Sequence, residues 1–224
     1  MEIQTNVIHL KNLAKAEGIA LFGVADVMPV QKQFLLPEHI ARRFSFGISL
    51  GFRLSSSVLD TLVDAPNQIY YFHYQRVNML LDHAALKITA WIQEQGGNAL
   101  PIPASQIVDW ERQLGAVSHR EIAMRAGLGW YGKNNLLVNE RYGSQVRYAT
   151  VLTDMPLTCG SPAGENSCGG CEACITSCPA RAIQKDGFDR NKCHAKLKEF
   201  CRLQRIGQMI CGVCLKVCPG NSRI

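Results

Sequence analysis

Apolar positions recur along this chain at spacings that assign most of its regular elements. In residues 5–17, Val7, Leu10, Leu13 and Ala14 fall on one helical face, and Gly18 supplies a stop. The run Ile19-Ala20-Leu21-Phe22-Gly23-Val24 is short enough for a buried strand, and the alternation from Arg43 to Leu50 predicts a second. From Asn67 to Gln95, Ile69, Phe72, Val77, Leu80, Leu81, Ala84, Ile88, Trp91 and Ile92 recur at helical spacing until Gly96-Gly97 ends the helix. His119 to Ala126 predicts a short helix running into a glycine-rich turn. Asn135–Asn139 and Gln145–Thr153 then predict a β-hairpin joined by Glu140 to Ser144. Helices alternating with strands point to an α/β fold. Met155 through Gly164 is the natural linker, so the chain is expected to divide into an α/β domain over residues 1–157 and a cysteine-rich domain over 158–224.

Composition changes this picture little, but cysteine placement changes it greatly. With 224 residues, 47% apolar and 19% charged, the chain can bury an ordinary globular core. It has no membrane-length apolar run and no signal-peptide pattern after Met1, so a cytoplasmic location is expected. All ten cysteines lie in the last 66 residues. A disulfide framework has no reason to avoid two-thirds of a chain, and cytosolic thiols stay reduced, so these residues point to metal.

Cys168, Cys171, Cys174 and Cys178-Pro179 form C-x2-C-x2-C-x3-C-P, and Cys211, Cys214 and Cys218-Pro219 form C-x2-C-x3-C-P. Three thiolates two residues apart can wrap a cuboidal [4Fe–4S] cluster, while the fourth serves a neighbouring one. A structural zinc site gains nothing from a third cysteine at that spacing. The crossed arrangement of two-cluster ferredoxins assigns Cys168, Cys171, Cys174 and Cys218 to one cluster. It assigns Cys178, Cys211, Cys214 and either Cys193 or Cys201 to the other. Cys159 and the cysteine left over are expected to be small packed side chains.

The net charge of +6 is local: residues 181–224 hold ten Lys or Arg against three Asp or Glu. Two clusters with their thiolates add about −4, leaving the loaded protein at about +2. The excess therefore serves cluster compensation first and an anionic partner, RNA included, second.

Gly127-Leu128-Gly129-Trp130-Tyr131-Gly132 matches G-x-G-x-x-G, but a helix precedes it and a strand follows, the reverse of a dinucleotide site. The longer string Ala126 to Asn134, with Leu136-Leu137-Val138, Gly143-Ser144 and Leu152-Thr153-Asp154, resembles the epoxyqueuosine reductase family. That family contains cobalamin-dependent enzymes with two [4Fe–4S] clusters, related to reductive dehalogenases. Arg43 to Ser49 resembles its early strand, and His73 with the following residues its Asp-Tyr-His helix.

The resemblance implies an α/β domain followed by a ferredoxin-like domain with two [4Fe–4S] clusters. Cys193 stands where the family has a lone ligand cysteine, which selects it over Cys201. A cobalamin would be held near Gly127, Gly129, Trp130, Gly132, Lys133 and Asn134. Electrons would come from a low-potential donor such as ferredoxin or flavodoxin and reach a small-molecule or modified-nucleoside substrate.

Two departures bear on that substrate. Where the family places a proton-donating aspartate, thirteen residues before Ala126, this chain has Gln113, with Asp109 the nearest alternative. The sequence also stops just past the second motif, where the family continues into a helical-repeat region that helps hold tRNA. The resemblance is thus to a short relative, on which efficient action on tRNA is not expected. His73 and His119 are further thin candidates. The alternative is a corrinoid-free electron-transfer protein whose α/β domain docks a partner.

Overall fold

The computed structural model describes residues 2–162 and 168–220. In chain order it forms α1 (Glu2–Ala16), β1 (Leu21–Asp26), α2 (Glu38–Ala41), β2 (Phe46–Arg53), α3 (Ser56–Asp60), α4 (Gln68–Glu94), β3 (Ala99–Ile102) and α5 (His119–Arg125). There follow β4 (Trp130–Tyr131), β5 (Leu137–Val138), β6 (Val146–Thr153), α6 (Ala173–Ser177), α7 (Arg190–Leu203) and α8 (Val213–Lys216). A 3-10 turn at Met28–Gln33 links β1 to α2. Among the described residues no helix is long and apolar enough to cross a membrane.

Two compact units result, and neither is a continuous stretch. One takes the chain as far as Phe52, then Asn78–Leu128, then the stretch from Arg147; the other takes Arg53–Val77, Gly129–Val146 and the cysteine-rich segment. The single boundary expected at 157/158 is therefore too simple, because two earlier stretches join the cysteines. The last residues of the expected linker, 163 and 164, lie outside the described residues.

In the first unit a four-stranded sheet has the order β1-β2-β6-β3. β1 pairs antiparallel with β2, Leu21 opposite Gly51, and β3 pairs antiparallel with β6, Ala99 opposite Thr153. Ala25, Val27, Phe34, Phe44, Ile102, Val117, Ile122 and Leu152 form one buried cluster. α5 packs on β1: a Cβ on Gly23 would stand 2.9 Å from the Ala126 carbonyl oxygen. The long helix follows its predicted face, with Leu81, Ala84, Ile88 and Ile92 buried.

The expected hairpin does not form. β5 pairs with β4, Trp130 opposite Val138, and β6 lies between β2 and β3. Every β6 residue but Arg147 is buried, so this strand suits an interior position with neighbours on both edges. The intervening turn closes on itself through paired backbone bonds between Asn139 and Gly143 (2.7 and 2.8 Å). Ser144 N–H is then spent on the Cys218 carbonyl (3.0 Å), which takes the chain out of any two-stranded ladder.

Candidate metal centre

The second unit gathers eight cysteines, and local structure aims each of them. Cys171 N–H closes a turn onto the Cys168 carbonyl at 3.0 Å. Cys174 rides in α6 and Cys178 caps that helix. Cys214 rides in α8, with Cys218 just beyond it. The two motifs thus have one construction, a cysteine in a short helix and a second past its end. Cys193 enters from the first turn of α7, whose N-cap Asp189 accepts from Lys192 N–H at 3.0 Å.

Mutual influence among the thiols sorts them into two sets. Burial, and after it Cys218, Cys168 and Cys171, push the Cys174 thiol up. Burial, then Cys178, pushes Cys193 up. Burial raises Cys211 to about 11, with Cys193 and Cys178 adding to it and Lys196 opposing. Burial likewise raises Cys214, with Cys211, Cys178 and Cys193 as its nearer thiol neighbours and Cys174 after them. The structure therefore brings Cys168, Cys171, Cys174 and Cys218 together, and beside them Cys178, Cys193, Cys211 and Cys214. Cys201 is raised by burial alone, and Cys159 by burial and then Asp26, so both stand outside the sets.

Four thiols per set is the donor chemistry of a [4Fe–4S] cluster, and these residues fit it. Among the described residues no three His, Cys, Asp or Glu are gathered as ligands of one metal ion. Thiolates on a single zinc, each at about 2.3 Å, would crowd far more closely than those on the corners of a cuboidal cluster. The Cys178 sulfur also accepts the Ala182 N–H at 3.4 Å, a backbone bond to the sulfur itself.

Support for the two sets comes from residues the sequence did not single out as structural. Lys133 Nζ donates to the Gly169 carbonyl at 2.8 Å and to the Cys171 carbonyl at 3.0 Å, fastening the first cysteine loop. Gln145 Nε2 donates to the Lys216 carbonyl at 2.7 Å, holding the end of α8. Gly143 has φ +58, and a Cβ there would strike the Cys218 carbonyl. In the sequence, Gly143 and Ser144 stand out only as the end of a turn and as part of the family likeness.

The string nominated for a corrinoid is occupied by the chain itself. Cβ atoms on Gly127 and Gly129 would strike the carbonyls of Ser161 and Val138, and one on Gly132 would strike the Val138 side chain. Those glycines are explained by close approach of the protein's own chain. Asn134 is buried, donates to Ser144 Oγ at 3.1 Å and accepts Leu136 N–H at 3.2 Å. Within this string, Trp130 Nε1 is the one buried side-chain polar atom with no partner among the described residues. The pocket beside Lys133, lined by Gly132, Asn135, Gln184, Lys185, Gly187 and Phe188 as well, has a volume of about 170 Å³. A cavity for even a drug-sized ligand is about 300–1,000 Å³. That pocket is smaller than such a site, and the glycines and Asn134 of the string are accounted for by the chain's own packing.

The remaining candidates have structural partners. His73 accepts the Ser55 N–H at Nε2 (3.1 Å), and burial lowers its pKa, so it is neutral. His119 faces the Pro103 carbonyl through Nε2 and the Thr150 hydroxyl through Nδ1, both at 2.9 Å. A carbonyl only accepts, so Nε2 carries the proton; burial pushes this histidine down to about 4. Asp109 accepts Arg112 N–H and Nε at 2.7 Å each, bonds that hold its carboxyl below the usual range. It is therefore an ionised acceptor at neutral pH. Gln113, at φ +54, turns its amide back onto the Trp110 carbonyl at 2.5 Å.

No protein-family model matches the chain. It is 38% identical over 169 residues to an epoxyqueuosine reductase of Vibrio cholerae, covering 70% of this chain and 44% of that protein. It is 34% identical over 158 residues to one of Bacillus cereus, covering 66% and 39%. Among solved structures it shares its fold with a catabolic reductive dehalogenase in complex with 3-bromo-4-hydroxybenzoic acid, at TM-score 0.79 and 18% identity, covering 98% of this chain and 32% of that one. It shares it also with an epoxyqueuosine reductase bound to a modified tRNA stem loop, at TM-score 0.66 and 17% identity, covering 96% and 64%. The chain is a relative of the epoxyqueuosine reductases that spans less than half the length of these two curated relatives.

Proposed function

We propose that this chain is an iron–sulfur oxidoreductase of the epoxyqueuosine reductase kind, with two [4Fe–4S] clusters as resident one-electron carriers. The carrying observation is the gathering of eight thiols into two sets of four, crossed between the motifs. Cys168, Cys171, Cys174 and Cys218 would hold one cluster and Cys178, Cys193, Cys211 and Cys214 the other. When bound, the clusters supply low-potential single-electron chemistry. The protein's own part is to fix the loops: Lys133 and Ser144 bond the carbonyls of Cys171 and Cys218, and burial excludes water from Cys174. A low-potential donor, a modified-nucleoside or small-molecule acceptor, and a cytoplasmic location that keeps thiols reduced belong to the same proposal. Anaerobic reconstitution should give about eight iron and eight sulfide per chain, with broad absorption near about 400 nm. Stoichiometric zinc without iron uptake would sink it.

A second reading rests on the occupied Ala126–Asn134 string: a cluster protein that binds no corrinoid and passes electrons to a partner. Titration of the reconstituted protein with cobalamin separates the two. A bound, base-off cob(II)alamin signal in electron paramagnetic resonance supports the corrinoid enzyme, and no binding at about hundredfold excess supports the carrier.

A further inference from the structure

Two of the uses made of the cations that follow residue 180 lie on α7. Lys196 is only part-exposed, pairs with Glu199 at 2.8 Å and acts on Cys211, opposing the burial that raises that thiol. It compensates charge inside the centre. On the opposite side of α7, Asn191, Ala195, Lys198 and Arg202 follow one another at helical spacing and are all exposed, with Arg205 exposed just beyond. Lys198, Arg202 and Arg205 enter no ion pair among the described residues. Leu203, 57% exposed, ends the helix about 100° around its axis from Arg202, towards the Lys196 side, and is not part of this face. Cys193 is half-buried and Phe200 buried on the other side of the same helix.

We propose that this outer face of α7 is the docking surface for an acidic redox protein, a one-electron carrier that delivers low-potential electrons; this rests on the two-cluster reading above. The free cations complement an acidic surface. A helix with its side chains is about 10–12 Å across, so a partner seated here lies one helix diameter from the Cys193 set. The face is small, about 21 Å long for fourteen residues at about 1.5 Å each, which suits the weak, low-area encounters of electron-transfer pairs. It carries no exposed aromatic side chain on which a base could stack, which disfavours RNA.

The test titrates the reconstituted full chain with a bacterial flavodoxin, and separately with an anticodon stem–loop RNA, at about 50 mM and about 300 mM NaCl. Three proteins are compared: wild type, the double variant Lys198→Glu/Arg202→Glu, and a control with the same charge change at exposed positions of α1, Lys11→Glu/Lys15→Glu. Flavodoxin should bind wild type and weaken about tenfold or more at the higher salt. The α7 variant should weaken it about tenfold or more at low salt, the control less than about threefold. Flavodoxin that fails to bind wild type overturns the proposal, as does equal weakening by both variants or none by the α7 pair. So does RNA binding that the α7 pair abolishes while flavodoxin binding persists. Iron content is read on every sample. Wild type that takes up no iron sinks the cluster reading, whereas normal iron with unaltered docking sinks only this surface.

Discussion

Cys193 and Cys201 lie on the same helix, eight residues apart, which is about 12 Å along its axis. Only the first reaches the neighbourhood of Cys178, Cys211 and Cys214. Cys193→Ser should therefore lower the iron content of the reconstituted protein from about eight to about four per chain, and Cys201→Ser should leave it near about eight. The reverse pattern would move the ligand to Cys201. His119 makes a second residue-scale prediction. Its folded pKa of about 4 lies below the ordinary value of about 6.5, so the unfolded chain takes up the proton first. Its contribution to stability is complete above about pH 6.5 and is lost as pH falls from there towards about 4. The urea midpoint should decline over that interval, and more steeply than in His119→Gln. Parallel declines in the two proteins would remove His119 as the cause. In the sequence this histidine was a thin catalytic candidate, because a lone imidazole does not reveal whether its two nitrogens meet a substrate or, as here, a carbonyl and a hydroxyl.

Among elements, the turn at Asn139–Gly143 has the widest reach. It returns the chain so that Ser144 meets the Cys218 carbonyl, with no space for a side chain at position 143. Gly143→Ala adds a left-handed backbone cost of about 1–3 kcal/mol and a collision with Cys218. Iron bound by the set containing Cys218 should be lost, leaving about four per chain, with the set containing Cys193 retained. Full loading in that variant would show that the turn is free to move away. The same turn explains where sequence reasoning stopped. Long-period features were legible: α1, β1, β2, α4 and α5 all appear within a few residues of their expected places. The hairpin was not, since its local alternation carries no record of a hydrogen bond to a residue more than seventy positions away. β3 went unseen because Ala99-Leu100-Pro101-Ile102 is four residues with no alternation to detect. The glycines at 127, 129 and 132 mark close approach, but a sequence does not say whether what approaches is a cofactor or the chain itself.

At the scale of the whole molecule, the ten Lys or Arg beyond residue 180 are counted against cysteines that the formal charge treats as neutral. Loading two clusters adds about four negative charges, so the reconstituted protein should leave a cation-exchange column at lower salt than the cluster-free protein. Identical elution would mean that the metal centre carries no such charge. The cysteine spacing marks the proposed ligands in the sequence, because ligand chemistry leaves its mark in adjacent residues, whereas the unit that surrounds them is drawn from three separated stretches. That interleaving bears on how such a centre can be inherited or engineered. A gene segment beginning at residue 158 would carry every thiol yet leave behind Lys133, Ser144 and Gln145, the donors to the carbonyls of Gly169, Cys171, Cys218 and Lys216. The cysteine region is not a cassette: recombination that moved it alone would transplant the ligands without the scaffolding that aims them, so the two halves of this chain are bound to travel through evolution as one.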